Sequence, residues 1–547
     1  MSFIGKAQKA LCAIAVCFAG HATAGAVSVV ELTVDDVQQG YAAGEFTAVE
    51  LTQTYLNRIR AFDPVYNAFI SLSPDALQRA AELDAAYAAG GPVGVLHGVP
   101  VVVKDNIDRA GEITTAGFAG FTSAAGGVDV TPQQSATVVE RLEAAGAIVL
   151  GKTNLPAFAA DGTRNLTSFA GPTFNPYNLD LAPGASSSGT GVAVNASFAV
   201  LGLSTETSGS IQNPSAANGL VGVITSKGLV PADGVVPLDV SRDVVGPTAR
   251  TVRDAAIALD VLAGPSPRDP ESAGADSGIP TGGFASVLDD QSLVGTRLGT
   301  FDLGAIGFGP PRTPEAQAFF SNAVGVIESQ GGEVVDATGL VLAAVGSGLA
   351  ALDPSNRALT NAFELNAYFE NLGPGAIFDS SQEYADLAGV DTVGDNDGFE
   401  IDLLPIASES EYNAVVDAVE AVRVQLNALI AGFLLANDLD GLVFPQISGP
   451  LPPLFSNQGY GGVYTPTDFG GGSGVTVPFE YFDDGSPFGV LFAGPQFSDG
   501  ALLSYAYDFE QATLARVAPN LVPSPTAVGG GLVLVLGLAA RRRRRAA

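Results

Sequence analysis

The sequence predicts an α/β fold built on a largely buried sheet, and three observations carry that expectation. The run Val99 to Val103 is short, apolar and β-branched, as a strand covered on both faces must be. A second such run, Ile148-Val149-Leu150, follows a helical segment that ends near Gly146. Helical patterns precede both runs, so helices and strands alternate along the chain.

The elements follow in order. Thr47-Ala48-Val49-Glu50 has the spacing of a capping box, and Leu51, Tyr55 and Ile59 continue it as an amphipathic helix. A second helix starts near Ser73-Pro74 and ends at Gly90-Gly91. The first apolar run leads into Lys104, which sets a lysine at the carboxyl end of a buried strand, where α/β folds gather their ligands. Two loops of small residues, Pro183 to Gly191 and Ser204 to Ser210, flank an apolar segment from Val192 to Leu203. Such loops let the backbone approach another group closely, and successive N–H groups in a turn like Thr207-Ser208-Gly209-Ser210 can converge on an anion. With no visible internal repeat, residues 25–520 read as one large domain.

Both ends read as processing signals. Lys6 and Lys9 precede the apolar run Ala10 to Ala19, and Ala22-Thr23-Ala24 supplies a small-residue cleavage site, so residues 1–24 are expected to be a signal peptide. At the other end Val522-Pro523-Ser524-Pro525, an apolar stretch from Ala527 to Ala540 and five arginines, Arg541 to Arg545, resemble a sorting signal of the PEP-CTERM type. Residues 521–547 are therefore expected to be a sorting tail, with a plain membrane anchor as the alternative. The protein is expected to be exported to the cell envelope or beyond.

Processing would remove Cys12, Cys17 and His21, leaving no thiol and the single histidine His97. A lone histidine cannot build a usual zinc site. Asp391, Asp395, Asn396 and Asp397 miss the EF-hand spacing and read as a solvated acidic loop, so no metal is expected. Taking two lysines and five arginines from 25 basic residues leaves 18 against 57 acidic ones, a net of −39. That balance excludes a phosphate-binding face and hence nucleic acid as a partner. It leaves only Lys104, Lys152 and Lys227 as lysines.

One series of motifs goes further. Val103-Lys104-Asp105-Asn106, Thr114-Thr115-Ala116-Gly117, Gly151-Lys152-Thr153-Asn154, Gly171-Pro172-Thr173 with Asn175-Pro176, the serine loop, Glu206-Thr207-Ser208-Gly209-Ser210-Ile211, and Asp243-Val244-Val245-Gly246-Pro247 with Ala249-Arg250-Thr251-Val252 resemble the amidase signature family in type and order. The likeness is greatest to its peptide-amidase-like members and extends to Asp438–Pro445 and Ser486–Thr513. It is looser over residues 265–430, expected to shape the substrate pocket.

This resemblance implies a twisted mixed sheet covered by helices and an enzyme, secreted if the signal peptide acts, that splits a small-molecule or peptide amide through a Ser-Ser-Lys triad. Ser210 would be the nucleophile, Ser186 the bridging serine on a cis peptide, and Lys104 the general base. Backbone N–H groups of Thr207, Ser208, Gly209 and Ser210 would hold the oxyanion, and no cofactor would be needed. Three adjacent serines leave Ser187 and Ser188 open as the bridge. Asp105 and Asn106 read as loop-fixing, Thr115 as support, Lys152 and Asn154 as structure beside the site, and His97 as a strand-entry residue. The sequons at Asn165 and Asn195 are weak patterns. Gln212 stands where many members carry arginine, Ser208 replaces a common Gly or Asp, and Ile224-Thr225-Ser226 replaces the usual Lys-Pro-Thr. Two rival functions stay open: a catalytically idle surface-binding protein and a glutamine-hydrolysing component of an amidotransferase, the latter opposed by the export signal and the acidic surface.

Overall fold

In a computed structural model, which describes residues 27–302, 310–340, 357–394, 399–404, 406–462 and 470–524, the two apolar runs are parallel neighbours in one eleven-stranded sheet. The strands are β1 (Phe69–Leu72), β2 (Pro100–Lys104), β3 (Ile148–Thr153), β4 (Leu201–Glu206), β5 (Val221–Ile224), β6 (Val244–Ala249), β7 (Arg297–Thr300), β8 (Glu333–Asp336), β9 (Thr392–Gly394), β10 (Glu400–Asp402), β11 (Gly441–Pro445), β12 (Ser473–Tyr481) and β13 (Pro487–Gly494). Their order across the sheet is β1-β3-β2-β4-β6-β5-β12-β13-β11-β7-β8, and β9 pairs with β10 apart from it. The trios β3-β2-β4 and β11-β7-β8 are parallel, and every other pairing is antiparallel. The sheet is mixed and covered by helices, as an α/β fold requires.

Local chemistry sets the helices. Thr47 and Glu50 exchange their capping bonds at 3.1 and 2.9 Å, and the helix Ala48–Tyr66 buries Leu51, Tyr55 and Ile59. The next helix, Ala76–Gly90, stops at Gly91. Strand β2 is wholly buried because β3 and β4 flank it on both edges.

The two small-residue loops differ from their expected form. Ser204–Glu206 completes β4, since that segment pairs with β6 from Gly202 to Glu206 and so gains ladder bonds that outweigh its composition. In the first loop Ser188 opens the helix Ser188–Asn195, which lies on β2, β3 and β4. Gly189 makes that approach feasible: a Cβ there would stand 2.3 Å from both the Ala68 carbonyl oxygen and the Asn154 nitrogen. The apolar segment between the loops is thus the end of a helix, a turn and the start of a strand.

Apolar packing divides unevenly. The main cluster spans the sheet and the helices on it, while Phe121, Phe158, Phe369, Phe378 and Tyr384 centre a second cluster that binds residues 357–404 to the loops near Ala116. The helix Glu409–Ala436, which holds an 18-residue stretch of mean hydropathy 1.5, is long and apolar enough to cross a bilayer by length and composition, yet its Leu426, Ile430 and Leu434 pack against a third cluster with Ile211, Phe444 and Leu491. The expected signal peptide, the tail from Pro525 onward and Asp395 to Asp397 lie outside the described residues. Val522 and Ser524, in the described first residues of the expected tail, donate backbone N–H bonds to the Tyr66 hydroxyl (2.8 Å) and the Ala61 carbonyl (2.9 Å).

Candidate active site

Because β3, β2 and β4 are parallel, Lys152, Lys104 and Thr205 all arrive at the same edge of the sheet. Lys104 is fully buried there. Its Nζ lies 2.7 Å from Ser186 Oγ, 2.8 Å from Thr205 Oγ1 and 3.4 Å from the Thr205 carbonyl oxygen. Asn106 Nδ2 donates to the same Thr205 hydroxyl at 3.1 Å. Burial lowers the lysine to about 7, against the opposing pull of Glu206 and Asp243.

Ser186 follows a cis peptide bond from Ala185. The three serines point to different places: Ser186 to Lys104, Ser187 Oγ to the Thr205 carbonyl at 3.3 Å, and Ser188 into a buried position where it has no hydrogen-bond partner among the described residues. Ser210 is drawn to this group by its carbonyl, which accepts from Ser187 N–H at 3.2 Å. Gly162 completes the wall, its carbonyl accepting from Ala185 N–H (3.2 Å) and Asn213 Nδ2 (3.0 Å).

The turn between β4 and the helix Gln212–Ala217 is held from both ends by carboxylates. Glu206 accepts from the backbone N–H of Ile211 and, at 3.2 Å, of Gln212. Asp243 accepts from the Thr207 hydroxyl with one oxygen and from Leu238 and Asp239 N–H, each at 2.9 Å, with the other. Gly209 takes φ 116°, a conformation open to glycine. Among the described residues no acceptor pairs with the N–H groups of Thr207, Ser208, Gly209 or Ser210, and Ser208 is half-exposed, so a reactant from solvent can meet them. Donors in this state can accept an anion as a partner.

Lys152 belongs to a neighbouring network. It pairs with Asp105 at 3.0 Å, both fully buried, while Thr115 N–H donates to that carboxylate at 3.0 Å. Burial pushes Asp105 up and takes Asp108, bonded by the Tyr368 hydroxyl at 2.8 Å, to about 7. Asn154 ties loops together, donating to Asn67 and Gly171 carbonyls at 3.1 and 3.0 Å. His97 stands apart, its ring 5.6 Å from Tyr41 and 5.3 Å from Tyr87. Asn165 and Asn195 are fully buried, which removes both sequons from the surface.

Gln212 bonds to Glu206 (3.3 Å) and accepts from Gln446 Nε2 (2.9 Å), so an uncharged side chain keeps the Glu206 carboxylate occupied. In the altered Ile224-Thr225-Ser226 segment Thr225 donates to the Val245 carbonyl at 3.0 Å and Ser226 bonds to Asp499. Sequence reasoning missed Thr205 as the partner of Lys104; its alternation with Ser204 and Glu206 on a strand was the available signal. It also missed Gln446, which no local pattern marks.

The amidase family profile matches residues 50–503. A probable amidase of Arabidopsis thaliana is 29% identical over 515 residues, covering 90% of this chain and 92% of its own. One component of the glutamyl-tRNA(Gln) amidotransferase of Symbiobacterium thermophilum is 32% identical over 522 residues, covering 90% and 98%. Among solved structures, native peptide amidase from Stenotrophomonas maltophilia superposes with a TM-score of 0.71 at 32% identity, covering 90% of this chain and 99% of that one. With the profile spanning most of the chain and the full-length likeness in both sequence and structure, the protein belongs to the amidase signature family.

Proposed function

We propose that the protein is an exported amidase that cleaves a carboxylic amide to an acid and ammonia or an amine, with Ser210 as nucleophile, Ser186 as bridge and Lys104 as base. The observation that carries this reading is the 2.7 Å contact between Lys104 Nζ and Ser186 Oγ, beside a lysine that is half neutral near pH 7. A neutral amine has two N–H groups and one lone pair. The Thr205 hydroxyl and carbonyl accept the two N–H groups, which aims the lone pair at Ser186.

Lys104 takes the Ser186 proton as Ser186 takes that of Ser210, and Ser210 Oγ attacks the amide carbonyl. The N–H groups of Thr207 to Ser210 bind the oxyanion. Ser186 returns a proton to the leaving nitrogen, the C–N bond breaks, and an ester on Ser210 remains. Water, deprotonated along the same path, splits that ester, releases the acid and restores the serine. Export rests on the sequence of residues 1–24.

The test is release of ammonia or amine from a panel of peptide C-terminal, aryl, acyl and small aliphatic amides by the purified protein. Ser210→Ala and Lys104→Ala are each expected to lose about 10³-fold or more in kcat. Activity that survives Ser210→Ala refutes the mechanism. A second reading, glutamine hydrolysis within an amidotransferase, is favoured by the 32% identity to the Symbiobacterium thermophilum protein. Glutamine turnover exceeding that of every other amide supports it, and labelling without turnover, using a serine-reactive phosphonate, marks the idle binding protein.

A further inference from the structure

We propose that Glu364 is a positioning residue that acts through Val240 and Asp243 on the Thr207–Ser210 turn, linking the helix Arg357–Glu370 to the catalytic centre. The proposal rests on the reading of that turn as the oxyanion site. Its links are all short. Thr207 donates its hydroxyl to Asp243, whose second oxygen gathers the N–H groups of Leu238 and Asp239 at 2.9 Å each. In the same loop Val240 N–H donates to Glu364 Oε2 at 3.3 Å. Lys227 braces the loop from behind, giving Nζ bonds to the carbonyls of Val240 (2.7 Å) and Asp243 (3.0 Å). A movement of Val240 is therefore a movement of Asp243, and through its carboxylate of Thr207.

The charges make this connection responsive. Glu364 is 5% exposed and faces Asp239 and Asp243 across the loop. Lys227 is the cation turned toward it and is shared with Glu271 at 2.5 Å, while Arg242 is spent on Asp239 at 2.5 Å. From the helix Glu409–Ala436 comes the Tyr412 phenol, stacked on Phe363 at 4.1 Å. Burial, then Asp239 and Asp243, hold the Glu364 carboxyl up at about 8. Near neutral pH it accepts the Val240 bond without adding charge. Above that range it becomes a third anion beside Asp239 and Asp243, and repulsion drives the loop from the helix and loosens the hold on Thr207.

The experiment uses the full chain and a fluorophosphonate probe, whose attack by Ser210 needs the same turn and no amide substrate. Labelling rate is followed from pH 6 to 10, with thermal unfolding at each pH as the control for a purely structural effect. For the parent, a rise through the Lys104 transition is expected to be followed by a fall of about three- to tenfold above pH 8, smaller than the loss of about 10²- to 10³-fold on removing an oxyanion donor outright. Glu364→Gln, which keeps an oxygen for Val240 but cannot ionise, is expected to abolish the fall. Asp239→Asn, which removes one repelling charge, is expected to bring the fall about 0.5–1 pH unit lower. Thr207→Val is expected to slow labelling about tenfold or more at every pH. A parent profile without the fall, a Glu364→Gln profile that keeps it, or an unmoved midpoint in Asp239→Asn overturns the proposal. Labelling that persists in Ser210→Ala instead refutes the site on which it rests.

Discussion

Residues 100–250 and residues 357–436 are built on opposite principles. In the first, polar side chains lie at the centre: Lys104, Asp105, Lys152, Ser186, Thr205, Glu206 and Asp243 are all buried, and each is held by at least one named partner. In the second, aromatic rings do the holding, Phe369 lying 5.1 to 5.8 Å from Phe378, Tyr384 and Phe121, and the helix Glu409–Ala436 buries little beyond Leu426, Ile430 and Leu434. Buried polar groups are costly unless paired and admit few arrangements. Apolar packing admits many. The first region can therefore hold a reacting geometry, and the second can vary its shape around it.

The contrast can be broken or sharpened by substitution. The largest effect is expected from Lys104→Met, which should reduce turnover about 10³-fold or more. It should also alter the pH dependence of stability. The folded protein surrenders the lysine proton at about 7 and the unfolded chain near 10.5, so this residue makes stability rise with pH between those values, and in acid its charge is a burden. In urea unfolding across that range, the parent should gain on Lys104→Met by up to ~1.4 kcal/mol per pH unit. Next comes Lys152→Met, which leaves Asp105 buried without its cation and should cost about 3–5 kcal/mol by the same measurement. Phe369→Leu, a loss of packing alone, should cost about 1–2 kcal/mol and leave kcat nearly as it was. Leu435→Gln, at a side chain 85% exposed, should change stability by less than about 0.5 kcal/mol. A cost for Leu435→Gln as large as that for Phe369→Leu would show that the helix is covered in solution.

The same division governs what could be read from the chain. The helix from Ala48 announces itself through Thr47 and Glu50, and β2 and β3 through short apolar runs rich in β-branched residues, because capping and burial act locally. Lys104, Ser186 and Ser210 stand out by motif, and Lys104 also by its place after a strand. The 204–210 segment does not: serine, threonine and glycine read as a loop, and only the ladder to β6 makes Ser204 to Glu206 a strand. Thr205 gains its meaning from that strand. Glu364 and Gln446 are more distant still, 121 residues past Asp243 and 234 past Gln212, and nothing near them in sequence records what they touch.

The near absence of lysine has a practical corollary. Outside residues 1–24 the chain has three lysines, and Lys104, Lys152 and Lys227 are 0%, 0% and 4% exposed. An acylating reagent meets a folded surface with essentially no side-chain amine to modify, and three appear together when the fold opens. In a chain freed of residues 1–24, amine-directed dyes, crosslinkers and resins will pass over the folded protein except at its amino terminus. The count of labels per chain then becomes a gauge of unfolding that needs no engineered probe.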